Sequence, residues 1–190
     1  MIGADTTAAN RLMDRFDHCD SVWLFGYGSL IFKADFPWLE RRPAHIVGWQ
    51  RRFWQGSHDH RGTPESPGRV VTLVEQPGER CIGVAYRISP GVFAHLDWRE
   101  KNGYLRFVTQ VHFGDARAEE GLVYIATESN SAYLGPAPDE ELACHIAGAE
   151  GPSGRNSEYL LRLAGALRAL SADDPHVYRL EQLVSQYCQE

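Results

Sequence analysis

The chain has 190 residues, of which 43% are hydrophobic and 23% charged, and its formal net charge is -6. This acidic balance argues against nucleic acid or an anionic membrane as the main partner, since either would favour a basic face. The length and the hydrophobic content suit a single compact domain over residues 1–190, with residues 1–20 as an N-terminal tail.

The first half of the chain reads as a series of strands. Runs of β-branched, aromatic and aliphatic residues predict strands at 22–27 and 44–55. Two further strands are predicted at 69–75 and 81–88, separated by a turn at Pro77–Gly78.

A short helix is predicted next, with Ser89 as its N-cap, Pro90 at its first position and a stop at Asn102–Gly103. Apolar and polar residues then alternate over 105–113, which predicts a half-buried strand, and 121–127 forms another.

After residue 127 the hydrophobic period becomes helical. Helices are predicted around 142–147 and 159–167, and a last one, capped by Asp174, runs from Pro175 to Tyr187. Strands followed by a run of helices predict an α+β fold, and six strands of this spacing could curl into a small closed or partly closed barrel.

The stretch 23–30 runs an apolar strand into a glycine-flanked turn. Gly26 and Gly28 bracket Tyr27, and glycines there would allow positive φ and leave the backbone open to a ligand. Successive N–H groups leaving a strand form a concave nest for a carboxylate or another anion, and Ser29 adds a hydroxyl. The alternative is a tight turn that only closes a buried strand, which a lone Gly-x-Gly favours.

Charged residues further along are also candidates. Glu100 lies between the short helix and an Asn-Gly turn, at a junction of elements where functional side chains are common, although a surface ion pair with Arg99 or Lys101 is the simpler interpretation. Arg61 and Arg69 flank a Pro-Gly loop, either as anion ligands or as solvated charges.

Three other features stay ambiguous at this level. Tyr124 lies mid-strand, where a tyrosine is more often core than site. His58 and His60 could suggest a metal, yet no second cluster completes a ligand set, which favours a solvated loop. Residues 21–70 contain seven Lys or Arg against four Asp or Glu. This segment would therefore bind an anionic small substrate better than the acidic second half of the chain, and the alternative is a mixed, solvated surface.

The chain shows no sign of an export signal or a membrane anchor. Residues 1–20 carry six charges and no apolar signal-peptide core, and the longest apolar run, around 23–32, is too short to span a bilayer. Four scattered cysteines, Cys19, Cys81, Cys144 and Cys188, predict free thiols rather than a disulfide scaffold or a zinc knuckle. We therefore expect a cytoplasmic protein.

Six short blocks occur in order along the chain: Phe-Gly-Tyr-Gly-Ser-Leu at 25–30, Arg-Arg-Phe-Trp-Gln-Gly at 51–56, Pro-Gly-Arg-Val-Val-Thr-Leu at 67–73, Gly-Val-Ala-Tyr at 83–86, Tyr-Leu-Gly-Pro-Ala-Pro at 133–138 and Asn-Ser-Glu-Tyr-Leu at 156–160. Together they resemble the ChaC family of glutathione-specific γ-glutamylcyclotransferases. The resemblance extends from about Val22 to beyond Leu170.

This resemblance implies a small mixed β-barrel with packed helices, and neither a metal nor an organic cofactor. It implies that glutathione is the substrate and that Glu100 is the acid/base that releases 5-oxoproline and Cys-Gly. The implied substrate-binding residues are Gly26, Tyr27, Gly28, Ser29, Leu30, Ile31, Arg61 and Tyr124. Ser57 departs from the pattern, because some relatives have an acidic residue there.

Two other functions remain open from the sequence. Ser29 at the corner of a strand could be the nucleophile of a hydrolase, although no motif singles out a histidine as its base. A non-catalytic protein that binds γ-glutamyl compounds could use the same turn without needing Glu100. The oligomeric state and the strictness for glutathione stay open.

Overall fold

A computed structural model of the chain describes residues 5–187. Five long strands are present: β1 (Val22–Gly26), β2 (Glu40–Ser57), β3 (Gly68–Ile88), β4 (Tyr104–Phe113) and β5 (Ala118–Ala126). The α-helices are α1 (Thr7–Arg11), α2 (Phe93–Arg99), α3 (Asp139–Gly148), α4 (Asn156–Ala169) and α5 (Pro175–Tyr187). Shorter pieces are two 3₁₀ turns, Ser29–Ile31 and Pro90–Val92, and a paired ribbon of β6 (Glu150–Gly151) and β7 (Gly154–Arg155).

The five long strands close into a barrel in the order β1-β3-β2-β4-β5. β1 pairs antiparallel with β3 on one side and parallel with β5 on the other, so it has no open edge. All five of its residues are buried, as expected for a strand paired on both sides and covered on both faces. The predicted α+β class and the small mixed barrel are confirmed.

The predicted turn at Pro77–Gly78 is wrong. β3 is one strand whose two halves both pair antiparallel with β2, with Val47 opposite Arg80 and Trp49 opposite Glu75. Residues 76–79 therefore bulge out of the ladder opposite Gly48 instead of reversing the chain. Gly48 and Gly78 both have positive φ, a conformation that glycine adopts easily and that many turns also require. The bulge therefore contains residues that are typical of a turn.

The predicted helices are present, and α3, α4 and α5 form one layer against the barrel. Asp174 caps α5 as predicted, because its Oδ1 accepts the Val177 N–H at 3.1 Å. Ser89 does not cap with its side chain, and its carbonyl accepts the Val92 N–H in the 3₁₀ turn before α2. The apolar residues of this layer that have no exposed surface are Ala143, Ile146, Leu160, Leu163, Ala164, Leu167, Val177, Leu180 and Val184.

The described part of the predicted tail is bound to β4. The Thr6 hydroxyl donates to the Tyr104 carbonyl at 2.7 Å, and the buried Asn10 amide donates to the same oxygen at 3.0 Å. Residues 1–4, and Cys188 among the predicted thiols, lie outside the described residues, whereas Cys19, Cys81 and Cys144 are free thiols. Within residues 5–187 no helix combines the length and apolar character that a membrane crossing requires.

A buried ion pair attaches α2 to the barrel. Asp97 on α2 accepts two hydrogen bonds from Arg106 on β4, at 2.8 and 2.5 Å, and one from the Tyr124 hydroxyl on β5 at 2.7 Å. The Asp97 and Arg106 side chains are almost completely buried. Because the carboxylate has so many partners, the position of α2 on the barrel is fixed by this cluster.

Replacing Asp97 should destabilise the protein strongly. Asp97→Ala leaves the Arg106 charge buried without its partner, which typically costs about 3–5 kcal/mol of unfolding free energy. Urea denaturation followed by circular dichroism measures this loss. Asp115→Ala is the matched control, because Asp115 is also ion-paired, with Arg42 and Arg117, but at the exposed surface. A loss for Asp97→Ala no larger than for this control would contradict the assigned role.

Candidate active site

Two adjoining cavities lie where the turn after β1, the end of α2 and β4 meet. The outer cleft has a volume of about 190 Å³ and the inner pocket about 40 Å³. Four residues line both of them: Ser29, Glu100, Tyr104 and Tyr159. Any molecule that extends from one cavity into the other therefore passes these side chains.

The glycines of the turn serve close packing, and the predicted positive φ is wrong. Neither Gly26 nor Gly28 has a positive φ, and that of Gly28 is -121°. A Cβ on Gly28 would lie 2.8 Å from Cγ2 of Val71 and 3.0 Å from the Tyr159 hydroxyl, and a Cβ on Gly26 would lie 2.6 Å from Cβ of Leu30. Side chains from distant parts of the chain therefore touch the bare backbone of the turn.

The 3₁₀ turn Ser29–Ile31 begins at the wall of the inner pocket with N–H groups that its own hydrogen bonds do not use. Its first internal bonds run from the Ile31 N–H to the Gly28 carbonyl and from the Phe32 N–H to the Ser29 carbonyl. The N–H groups that precede them have no partner inside the turn. Those of Gly28, Ser29 and Leu30 donate to no acceptor within residues 5–187, and these residues line the inner pocket. Such a set of donors suits an anion.

A buried arginine holds this turn from behind. Arg51 donates from Nε to the Tyr27 carbonyl and from Nη2 to the Ile82 carbonyl, both at 2.6 Å, and it pairs with Asp174 before α5. The Tyr27 hydroxyl is also engaged, since it donates to the Tyr124 carbonyl at 2.8 Å. The backbone of the turn is thus fixed before any ligand arrives.

Glu100 follows the last residue of α2, where the backbone leaves the helix at φ -94° and ψ 10°. Its side chain is 15% exposed, and its Oε1 accepts a hydrogen bond from Arg99 Nε at 3.1 Å. Burial raises the pKa of the Glu100 carboxyl, the Arg99 guanidinium lowers it, and Asp35 and Asp59 raise it further. Glu100 is therefore ion-paired, as the simpler interpretation held, but the pair lies inside the cleft.

The remaining predicted site residues are distributed unevenly. Arg61 lines the outer cleft and donates to the Arg155 carbonyl at 3.0 Å and to Glu158 at 3.1 Å. Tyr124 lines the inner pocket, although its hydroxyl is bound to Asp97. Gly26 and Ile31 line neither cavity.

Two of the ambiguous features are now placed. Arg69 is neither an anion ligand nor a solvated charge, because it is buried and donates to the carbonyls of Phe53 and Gly135 at 3.1 and 2.9 Å. Ser57, at the position where some relatives are acidic, accepts the Arg61 N–H with its hydroxyl at 3.0 Å. Within residues 5–187, no cluster of three His, Cys, Asp or Glu side chains could hold a metal ion.

Arg99, Tyr104 and Tyr159 line the cavities but were not among the site residues predicted from the sequence. Burial raises the pKa of both tyrosines, so their hydroxyls stay protonated as donors at neutral pH. Tyr159 recurs with the apolar face of α4 and resembles a core residue, and its block at 156–160 was the one available signal. Arg99 donates to Ser29 Oγ at 3.0 Å and to Asp35 in addition to Glu100, contacts that no local pattern reveals.

Comparisons with known proteins point to one family. Residues 22–187 match the model of a family described as ChaC-like protein. Gamma-glutamylcyclotransferase 2-3 of Arabidopsis thaliana is 46% identical, covering 86% of this chain and 88% of that protein. Glutathione-specific gamma-glutamylcyclotransferase 1 of Danio rerio is 44% identical, covering 85% and 87%. The crystal structure of a yeast γ-glutamyl cyclotransferase specific to glutathione has a TM-score of 0.82 at 33% identity, covering 88% of this chain and 97% of that one.

A methyl group at Gly28 should strain the turn. In Gly28→Ala the new Cβ would overlap Val71 and crowd the Tyr159 hydroxyl, and overpacking of this kind costs about 1–3 kcal/mol. Thermal and urea unfolding measure the loss. Gly165→Ala in α4 is the control, because no heavy atom lies within 4 Å of an added Cβ there, and alanine favours a helix by up to about 1 kcal/mol. Equal effects of the two substitutions would contradict the close packing at Gly28.

Glu100→Gln should become more stable than the native protein as the pH rises. The folded-state pKa of Glu100 lies above its ordinary value of 4.5. The protonated carboxyl therefore makes its full contribution to the stability of the native protein below pH 4.5, and this contribution is lost as the pH rises through the folded-state pKa. Glutamine does not titrate. Urea midpoints of the two proteins should therefore be closest near pH 4.5 and separate toward pH 8, with Glu100→Gln higher. A separation that grows toward acid would show that the pKa is lowered instead.

Proposed function

This chain belongs to the ChaC-like protein family, and on that premise we propose that it is a γ-glutamylcyclotransferase that converts glutathione to 5-oxoproline and Cys-Gly, with Glu100 as acid and base. The observation that carries the proposal is the position of Glu100. Its partly desolvated side chain lines both cavities, and the inner pocket is also lined by Gly28, Ser29 and Leu30, whose N–H groups donate to no acceptor within residues 5–187.

The reaction is an internal acyl transfer. In a γ-glutamyl peptide the α-amine and the γ-carbonyl belong to the same molecule, so the nitrogen can attack that carbon and close a five-membered lactam. The new C–N bond replaces the amide bond to Cys-Gly, and no water is consumed. Because the reactants are already tethered, the protein has to hold the folded-over conformer and to supply protons and charge stabilisation.

One carboxylate can serve both proton transfers. The α-ammonium of the substrate has a pKa of about 8 and must lose a proton before it attacks. The raised pKa of Glu100 brings the carboxylate closer to that value, which makes it a stronger base than an exposed glutamate. The attacking nitrogen begins with three protons and ends with one, in the lactam, so it gives up a second proton after the ring closes. Glu100 accepts each proton in turn and passes it to the nitrogen of Cys-Gly, which leaves as an ammonium, so the enzyme ends the cycle as it began.

The cavities suggest how the substrate is oriented. We place the γ-glutamyl unit where the two cavities share Ser29, Glu100 and Tyr159, with its negatively charged oxygens toward the donors of the turn Ser29–Ile31. The Cys-Gly part then extends into the outer cleft, whose wall includes Arg61. Tyr27 and Tyr124 support the inner pocket through the hydrogen bond from one to the other.

The two other functions are less well supported. Among the described residues, the hydroxyl of Ser29 is bonded to Arg99, and no histidine nitrogen lies within hydrogen-bond distance of it, whereas a serine nucleophile needs such a base. In a non-catalytic binder the Glu100 carboxylate would serve only to pair with the substrate ammonium, a role that gives no reason for its raised pKa.

Removing the carboxylate should stop the chemistry and spare binding. Glu100→Gln keeps the shape of the side chain but cannot accept the ammonium proton, and such a loss typically lowers kcat by about 100- to 10,000-fold. Purified protein is incubated with reduced glutathione, and 5-oxoproline and Cys-Gly are quantified by mass spectrometry, with glutathione affinity followed by calorimetry. Glu65→Gln, on an exposed loop outside both cavities, is the control and should turn over normally.

The same assay in ¹⁸O-labelled water separates the three functions. Cyclisation gives unlabelled 5-oxoproline, hydrolysis gives labelled glutamate, and a binder gives neither product. Labelled glutamate from the native protein, or near-normal turnover by Glu100→Gln, would exclude the proposed mechanism.

A further inference from the structure

Arg99 makes contacts that the proposed acid/base role of Glu100 leaves unexplained. We propose that Arg99 is a positioning residue for the cyclisation, which fixes the Glu100 carboxylate and the Ser29 hydroxyl relative to each other. This inference rests on the proposed function and adds a residue to it.

The contact between Arg99 and Glu100 depends on the end of α2. Side chains of adjacent residues in a helix point in different directions and do not face each other. Glu100 lies just beyond the helix, and its non-helical backbone allows the carboxylate to accept the Arg99 Nε–H at 3.1 Å. The helix therefore ends at the residue where this pair can form.

The Arg99 guanidinium joins three separate parts of the chain. Nε donates to Glu100 after α2, Nη2 donates to the Ser29 hydroxyl in the 3₁₀ turn at 3.0 Å, and Nη1 donates to Asp35 in the loop before β2. A guanidinium is a rigid planar fork, so fixing one arm fixes the others. The side chain is only 13% exposed. The base and the donor-bearing turn are thus held in one fixed arrangement.

These bonds favour a positioning role over direct substrate binding. Arg99 lines the outer cleft, so contact with substrate is the competing explanation. Each of its three nitrogen atoms, however, already donates to a protein oxygen. The second N–H of Nη1 and of Nη2 is all that is left for a substrate, so the three protein contacts fix the guanidinium whether or not a ligand is bound.

The charges around Glu100 give the proposal a pH signature. Burial and the carboxylates of Asp35 and Asp59 raise the Glu100 pKa, and Arg99 opposes them. His95 Nε2 lies 3.6 Å from Asp35 Oδ1, the oxygen that also pairs with Arg99, and His95 lines the same outer cleft. Lys33, His60 and Arg61 also line the outer cleft, and the tyrosines Tyr27, Tyr104, Tyr124 and Tyr159 line the inner pocket with Glu100. Removing the Arg99 charge should therefore raise the Glu100 pKa, and removing the Asp35 charge should lower it.

Arg99→Met keeps the stem of the side chain and removes the fork. Misplacing a catalytic group by about 1 Å can cost on the order of 100-fold, so we expect kcat for 5-oxoproline formation to fall about 10- to 100-fold, with KM changed less than about threefold. The acid limb of the kcat/KM profile should move to higher pH. Arg99→Lys retains the charge but cannot reach three acceptors. It should therefore restore part of kcat and return the acid limb most of the way to its native position.

Asp35→Asn is the matched variant, because it removes a charge from the same cluster. Its acid limb should move to lower pH, opposite to Arg99→Met. In the Glu100→Gln background, Arg99→Met should lower the residual rate no further, since its effect passes through the missing carboxylate. Urea unfolding of each variant checks the fold. If Arg99→Met does not fold, the inference is tested by comparing kcat and the acid limb of Arg99→Lys with those of Asp35→Asn.

Three results would overturn the inference: an unchanged kcat and acid limb in Arg99→Met, a large rise in KM with kcat retained, or shifts of the same sign in Arg99→Met and Asp35→Asn. These results are distinct from failure of the proposed function. That failure would appear in the native protein as no 5-oxoproline, or in Glu100→Gln as undiminished turnover, whatever Arg99→Met does.

Discussion

The buried ion pair between Asp97 and Arg106 is the contact on which the site depends. It fixes α2 against β4, and Glu100 is the first residue after that helix. Moving the helix would therefore move the carboxylate relative to the turn after β1. Burying two charges is expensive and seldom adds stability over an apolar pair. The benefit here is a defined geometry. The Tyr124 hydroxyl on β5 donates to the same carboxylate as Arg106 on β4, so both strands are held in a fixed position relative to α2.

Buried arginines recur as the means by which this fold fixes irregular backbone. Arg51 holds the carbonyls of Tyr27 and Ile82, and Arg69 holds those of Phe53 and Gly135. A guanidinium has several donors and no acceptor, so it satisfies the carbonyls of turns and bulges that no strand reaches. The turn that faces the cavities is thereby rigid, and its remaining N–H groups are available to a ligand.

Periodicity and turn chemistry were enough to place the residues of the five long strands and of helices α2 to α5 within a few positions, because each reflects contacts along a short stretch of chain, whereas α1 and the ribbon of β6 and β7 were not predicted. The errors came from long-range contacts. Whether Pro77–Gly78 reverses the chain depends on the register of β3 against β2, and the need for glycine at position 28 depends on Val71 and Tyr159. Glu100 was recognisable from the resemblance and its junction, whereas the three-way contact of Arg99 joins residues 29, 35 and 100, which only the folded chain brings together.

The parallel pairing of β1 with β5 also affects how the protein can assemble. Trp23 lies opposite Gly121, so one edge of the first long strand has no partner until most of the chain has been synthesised. At typical ribosomal rates of about 5–20 residues per second, that edge stays open for several seconds in a nascent chain. Sequence-distant pairings of this kind slow folding, because loop closure must precede the gain from contact. One edge of β1, which leads into the candidate site, is thus open to mispairing with other chains during synthesis.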